Sequence, residues 1–250
     1  RMRIKVFHGK TLKDVVSALT TVTGRMKALP AWTQKGAVVG LQGGQDKVQK
    51  DYDFLKQQGV PIKAVWLQDW VGARKTSIGQ QLWWNWEPDD SSPGSDYYGW
   101  NSLVDSLSLQ GVRTLTYINP YFTNVSAKST GYTHNYFQEG VDEGYFVKNI
   151  SGNAYLLDSG HFDFAMVDFT NPAARKWTKQ IIQKNMLRCN PTGNGELGGS
   201  GGVYGWMHDF GEYLPFDSVL FSGGDPAAYH NAYPEEWSAL AAEAVEECNN

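Results

Sequence analysis

The stretch Ala64-Val65-Trp66-Leu67-Gln68-Asp69-Trp70 holds four apolar residues and then turns polar. A run this short, apolar throughout and containing a β-branched residue and a Trp, reads as a strand covered on both faces, as in a parallel sheet. Three other runs have the same form. Ala37–Leu41 (AVVGL) ends at Gln42, Val112–Ile118 (VRTLTYI) ends at Asn119, and Val203–His208 (VYGWMH) ends at Asp209. Helical stretches separate them. One covers residues 45–58 and closes at Gly59-Val60-Pro61; another covers 97–110 and closes at Gly111. A third begins at Thr170-Asn171-Pro172, an N-cap followed by Pro in the first turn, and runs to about residue 187. A last helix spans 234–247. The alternation predicts parallel βαβ units in an α/β fold. The long loops all follow strands, which favours a (β/α)8 TIM barrel, with a doubly wound sheet as the alternative. Upstream, apolar residues at 12, 15, 16, 19 and 22 predict a helix over 10–25, broken by Leu29-Pro30-Ala31-Trp32.

The chain has 250 residues, a formal charge of −4 and 41% hydrophobic residues. That composition supports a core and excludes global disorder. It holds no run of 18 apolar residues, so neither a transmembrane helix nor a membrane partner is expected. A mildly acidic chain lacks the basic face of a nucleic-acid binder. Two Cys are too few for a disulfide scaffold; Cys189 and Cys248 could pair or remain buried thiols. Arg1-Met2-Arg3 has no apolar segment behind it, so it is not an intact signal peptide, and a segment of a longer protein is expected. The sequons at Asn124 and Asn149 occur at chance frequency. The Gly/Ser-rich residues 190–202 predict a mobile loop. Ten residues are Trp, and five of these fall between Trp66 and Trp86.

The strand ends carry the chemistry. Gln42, Gln68, Asp69, Asn119 and Asp209 would gather on one face, mixing donors and acceptors as a polyol ligand requires. Trp66, Trp70, Trp83, Trp84 and Trp86 could give apolar platforms for sugar rings, or could be core. The carboxylate candidates are Asp69, Asp168 and Asp209. Asp209 ends the fourth strand just before Phe210-Gly211, where a carboxylate can attack an anomeric carbon. A retaining glycosidase needs a second carboxyl roughly 5 Å away, and Asp69 and Glu212 are the candidates here. Other chemistries fit less well. His208, Asp209 and His230 match no metal-ligand spacing, no G-x-S-x-G elbow occurs, and Gly40-Leu41-Gln42-Gly43-Gly44 lacks the pattern of a phosphate loop.

Five ordered motifs then point to a family: AVWLQDW (64–70), LWWNW (82–86), YINPY (117–121), VDFTNP (167–172) and WMHDFGEYLP (206–215), followed by HNAYP (230–234). Over about residues 29–240 the chain resembles glycoside hydrolase family 31, on its sulfoquinovosidase branch. The resemblance implies a (β/α)8 barrel that hydrolyses α-glycosides with retention, with no cofactor or metal. It implies Asp209 as nucleophile, and Gln42, Gln68 and Asp69 as sugar contacts. It implies that Trp84 directs its indole N–H at a C6 sulfonate. At Gln81 the branch has an Arg on that sulfonate. A neutral amide cannot replace a charged fork, so Arg74 or Lys75 would have to supply the charge, or the substrate is a neutral α-glycoside. The family's acid/base Asp follows the sixth strand, and no residue here matches it. The chain therefore reads as about the first four β/α units: residues 1–28 a connector from a preceding domain, 29–250 the N-terminal half of the barrel. Its expected partners are a carbohydrate substrate and the missing remainder of its own barrel. Alone, it is expected to hydrolyse glycosides poorly. A transglycosylase on this scaffold and a non-catalytic sugar-binding segment are the alternatives.

Overall fold

The structure is a computed structural model that describes residues 4–189 and 200–248. Most of the predicted loop 190–202 lies outside the described residues. The chain divides into two compact units, residues 1–35 and 36–250. In the first, helix α1 (Leu12–Thr23) is started by a capping box, with the Thr11 side chain accepting from the Asp14 amide and the Asp14 carboxylate accepting from the Thr11 amide. A 3-10 turn spans Ala31–Gln34.

The second unit begins with β1 (Ala37–Leu41), α2 (Gln45–Gln57) and β2 (Ile62–Leu67). A hairpin follows, β3 (Ala73–Thr76) and β4 (Gly79–Leu82), and then α3 (Trp100–Leu109), β5 (Arg113–Ile118) and β6 (Tyr121–Phe122). After α4 (Tyr136–Asp142) come β7 (Leu156–Asp158), β8 (Asp163–Met166) and α5 (Pro172–Ile181), which continues as a π-helix over Ile182–Leu187. The unit ends with β9 (Gly205–His208), α6 (Pro226–Tyr229) and α7 (Tyr233–Cys248). The four predicted strands form one sheet in the order β1-β2-β5-β9, with every pair parallel.

The register fixes which residues share a face. Gly40, Trp66, Leu115 and Gly205 form one row across the sheet. Two large residues are flanked by glycines because there is little room beside them: a Cβ at Gly40 would stand 3.3 Å from the Trp66 ring, and one at Gly205 3.3 Å from Leu115. On the opposite face Val65, Leu67 and Ile118 are buried. The row's own face stays partly open, with Val38 and Met207 about half exposed. A closed barrel fills this face with layered side chains from alternate strands.

The loops after the strands carry further secondary structure: short apolar runs at 154–157 and 164–167 predict strands close to β7 and β8, and the β3–β4 hairpin has no such signal. β3 and β4 (ARKT and GQQL) lack an alternating apolar pattern; the hairpin forms because Gly79 takes φ +111 and the Thr76 hydroxyl donates to its carbonyl. β6, β8 and β7 make a separate antiparallel sheet. Lys128 and Asp89 tie two of these loops together under cover. Lys128 Nζ donates to the carbonyls of Val71 (2.9 Å) and Gly131 (3.2 Å) and lies 3.4 Å from Asp89 Oδ1. Gly131 must be glycine, since its φ is +77 and a Cβ would overlap the Asp89 carboxylate. Cys189, just after the π-helix, is bridged to Cys248 at the end of α7, with Cα atoms 5.8 Å apart.

Candidate active site

Side chains alternate along a strand, so the register decides what meets at the carboxyl ends. Gln42, Gln68, Tyr117 and Asp209 fall on the same face as the Gly40–Trp66 row. Asp69 falls on the other. Gln42 is exposed and Gln68 half-buried, and neither side chain is hydrogen-bonded among the described residues. Both amides are therefore uncommitted on the face that carries Asp209, Gln68 two strands and Gln42 three strands away from it.

Asp209 is half-buried and held from three directions. Its amide donates to Ile118 O (3.1 Å), its carbonyl accepts from Trp237 Nε1 (3.2 Å), and its Oδ2 accepts from the Tyr117 hydroxyl (2.8 Å). Phe210 takes φ +59 and Gly211 φ +123, so the chain turns away immediately after the carboxylate. Asn119 is fully buried under Tyr117. Its Nδ2 donates to the Tyr117 oxygen (3.3 Å) and its Oδ1 accepts from the Tyr121 amide (3.0 Å).

The other carboxylate candidates brace loops. Asp69 is 5% exposed; it accepts from the Gly43 amide (2.7 Å) and from the Tyr97 hydroxyl. Asp168 accepts from the Thr170 amide and hydroxyl through one oxygen and from the Phe221 amide through the other. Glu212 is exposed. His230 is bonded through Nδ1 to Leu214 O (2.7 Å).

The Trp cluster separates by how each indole N–H is used. Trp70 and Trp86 are fully buried and donate to the carbonyls of Tyr117 and Tyr121; half-buried Trp66 donates to Thr116 O. Trp84 makes no such bond among the described residues. Its ring meets Phe162, Phe164 and Tyr121 at 5.1, 5.2 and 5.6 Å. With Tyr121, Phe164, Phe210 and Tyr213 it walls a cavity of about 400 Å³ beside Asp209's strand end. Phe164 joins this wall from β8, a strand that the apolar run at 164–167 predicts without showing that it packs against Trp84.

Gln81 on β4 stands directly opposite Arg74 on β3. The Arg74 guanidinium lies 4.0 Å from the Trp83 ring centroid and 3.8 Å from that of Phe162. Its Nη2 donates to Thr123 Oγ1 (3.0 Å). Burial pushes its pKa down to about 10, which still leaves it charged at neutral pH. No carboxylate pairs with it among the described residues.

His208 faces the helices. Its ring stacks on Trp237 at 4.0 Å, and burial pushes it down to about 4, partly opposed by hydrogen bonding at Trp237 and the charge of Asp209. The unfolded chain therefore binds a proton at this position between about pH 6.5 and 4 that the folded chain refuses. Stability is expected to fall as the pH drops through that window. Denaturant titrations of the wild type and His208→Phe at several pH values check this: the variant keeps the stacking and should lose about one proton's worth of slope.

A parallel β/α sheet with a braced carboxylate, free amides and an unbonded indole at its carboxyl ends is part of a β/α barrel with a polar, aromatic-walled site. Residues 28–250 match the glycosyl hydrolases family 31 TIM-barrel domain, and the chain belongs to that family. It is 37% identical to the sulfoquinovosidase of Agrobacterium fabrum over 245 residues, covering 98% of this chain and 33% of that protein. It is also 37% identical to the Escherichia coli sulfoquinovosidase, over 95% of this chain and 31% of that one. A solved family 31 sulfoquinovosidase from E. rectale, in complex with an aza-sugar inhibitor, superposes with a TM-score of 0.80 at 34% identity, covering 93% of this chain and 32% of that one. The chain thus spans about a third of the length of these relatives, and its four parallel strands are part of the (β/α) barrel.

Proposed function

We propose that this chain is the nucleophile-bearing part of a retaining α-glycoside hydrolase. Asp209 attacks the anomeric carbon, and a carboxyl outside residues 1–250 protonates the leaving oxygen and later deprotonates water. Gln42 and Gln68 hold sugar hydroxyls, and Trp84 turns its free indole N–H toward the C6 substituent. The observation that carries the proposal is the register: it gathers Asp209 and the two uncommitted Gln amides on one face. The roles of Asp69 and Asn119 are indirect, since both are spent on the loops and on Tyr117.

The C6 group is an anion, a sulfonate as in the sulfoquinovosidase relatives. Gln81 brings no charge, but Arg74 across the ladder does, and it has no carboxylate of its own. A cyclitol inactivator that forms an ester with the nucleophile tests the proposal in the full-length protein. Mass spectrometry should find the adduct on Asp209, and the sulfonated inactivator should react faster than its neutral glucose analogue. An adduct on another residue overturns the nucleophile; equal or reversed reactivity overturns the anion.

A further inference from the structure

We infer that Tyr117 is a positioning residue that acts on the second half of the reaction, by stabilising the charge that returns to Asp209. The inference rests on Asp209 being the nucleophile. Three observations carry it. The Tyr117 hydroxyl donates to Oδ2 of Asp209 at 2.8 Å. Asn119 Nδ2 donates to the same phenol oxygen, and Asn119 is itself anchored to the Tyr121 amide. With a lone pair of that oxygen taken by Asn119, the phenol proton is directed at the carboxylate. Finally, Tyr117 is 3% exposed, its ring 6.1 Å from that of Trp86, so water does not replace the bond. Burial, added to by the nearby carboxylate, holds the phenol well above its ordinary pKa, so it remains a donor at any working pH.

The bond matters differently in the two chemical steps. In the first, one Asp209 oxygen forms a bond to the anomeric carbon as the bond from that carbon to the leaving oxygen breaks, and the carboxylate loses its charge. In the second, water adds to the anomeric carbon, its proton passes to the general base, and the carbon–Asp209 bond breaks with its electron pair returning to the carboxylate. A donor on the carboxylate opposes the first step slightly and assists the second, because hydrogen bonds to charged groups are the stronger ones. Tying Oδ2 to Tyr117 also leaves Oδ1 as the attacking oxygen.

The experiment compares wild type with Tyr117→Phe in the full-length protein. The substrate is an aryl α-glycoside whose leaving group needs little protonation, so that release of the sugar from Asp209 limits turnover. The variant should lower kcat by about 10- to 100-fold, the span of a hydrogen bond to a charge. KM should fall alongside it, because the glycosyl-enzyme accumulates. Mass spectrometry of reactions quenched at substrate concentrations below the wild-type KM should show more Asp209 adduct than in wild type. A structural lesion would instead lower kcat/KM without accumulation, and that result overturns the inference, as does unchanged turnover. If the wild-type adduct forms on a residue other than Asp209, the nucleophile assignment has failed, and the two failures are thereby distinguished. Asn119→Ala, which frees the phenol to rotate, should shift kcat and KM in the same direction by a smaller factor.

Discussion

Asp209→Ala in the full-length protein lowers turnover of an aryl α-glycoside by on the order of 10⁴-fold or more, because the covalent route closes when its nucleophile is removed. Binding of a sugar-shaped inhibitor should survive, since Gln42, Gln68 and the Trp84 wall remain. The shortened side chain leaves space on the face opposite the leaving group. Added azide should enter there and restore part of the rate, giving a glycosyl azide of inverted configuration. Asp168→Ala serves as the comparison. Its carboxylate holds the Thr170 and Phe221 amides, so its loss should appear as lower thermal stability. Asp209→Ala with full activity, or azide products that keep the substrate's configuration, would sink the assignment.

Lys128→Met should destabilise the fold by about 3–5 kcal/mol, because it leaves the Asp89 carboxylate buried without its cation. Lys128 and Asp89 are only 8% and 3% exposed, so water cannot take over the lysine's role. Burial raises the Asp89 pKa, and Lys128 partly holds it down. The sign of the pH dependence follows. Without the lysine, the folded state binds a proton at Asp89 more tightly than the unfolded chain does, so the loss is full at neutral pH and shrinks as the pH falls through the raised pKa. Denaturant melts at pH 7 and pH 5 measure both effects. Combining Lys128→Met with Asp89→Leu should recover much of the loss, because a pair replaced by apolar residues leaves no orphaned charge. A double variant no more stable than the single one would show that the lysine acts through the Val71 and Gly131 carbonyls instead.

How far the sequence could be read differs between elements. The strands at 37–41 and 64–67 were legible because each is an unbroken apolar run, and the structure extends the second back through Lys63 to Ile62. Helix α5 was legible at its start, where Asn171 accepts from the Ala173 amide and Pro172 takes the first turn. Its last turns widen into a π-helix that puts buried Asn185 against the Trp86 carbonyl (2.9 Å) and the Tyr136 hydroxyl (3.0 Å), and a periodicity of 3.6 gives no warning of this. The β3–β4 hairpin was hidden because its stability comes from a turn and from loop contacts, and its residues are polar on both faces.

At the site, residue type and strand-end position singled out Asp209, Gln42 and Gln68, since a strand's end is a local property. Asp69 and Asn119 have the same local signature and are hydrogen-bonded within the protein. One carboxylate and one amide look alike in sequence whether they face a sugar or a backbone N–H, and only the fold brought Gly43 and Tyr97 to Asp69. The Trp excess divided in the same way: composition counted the indoles, and tertiary contacts decided which N–H groups were already bonded. The sequence by itself determined the class of fold, because apolar runs and the turns that end them are written in consecutive residues. The tertiary structure alone decided that Tyr117 donates to Asp209 and that Arg74 stands across from Gln81, because these pairs depend on register and not on neighbours in the chain.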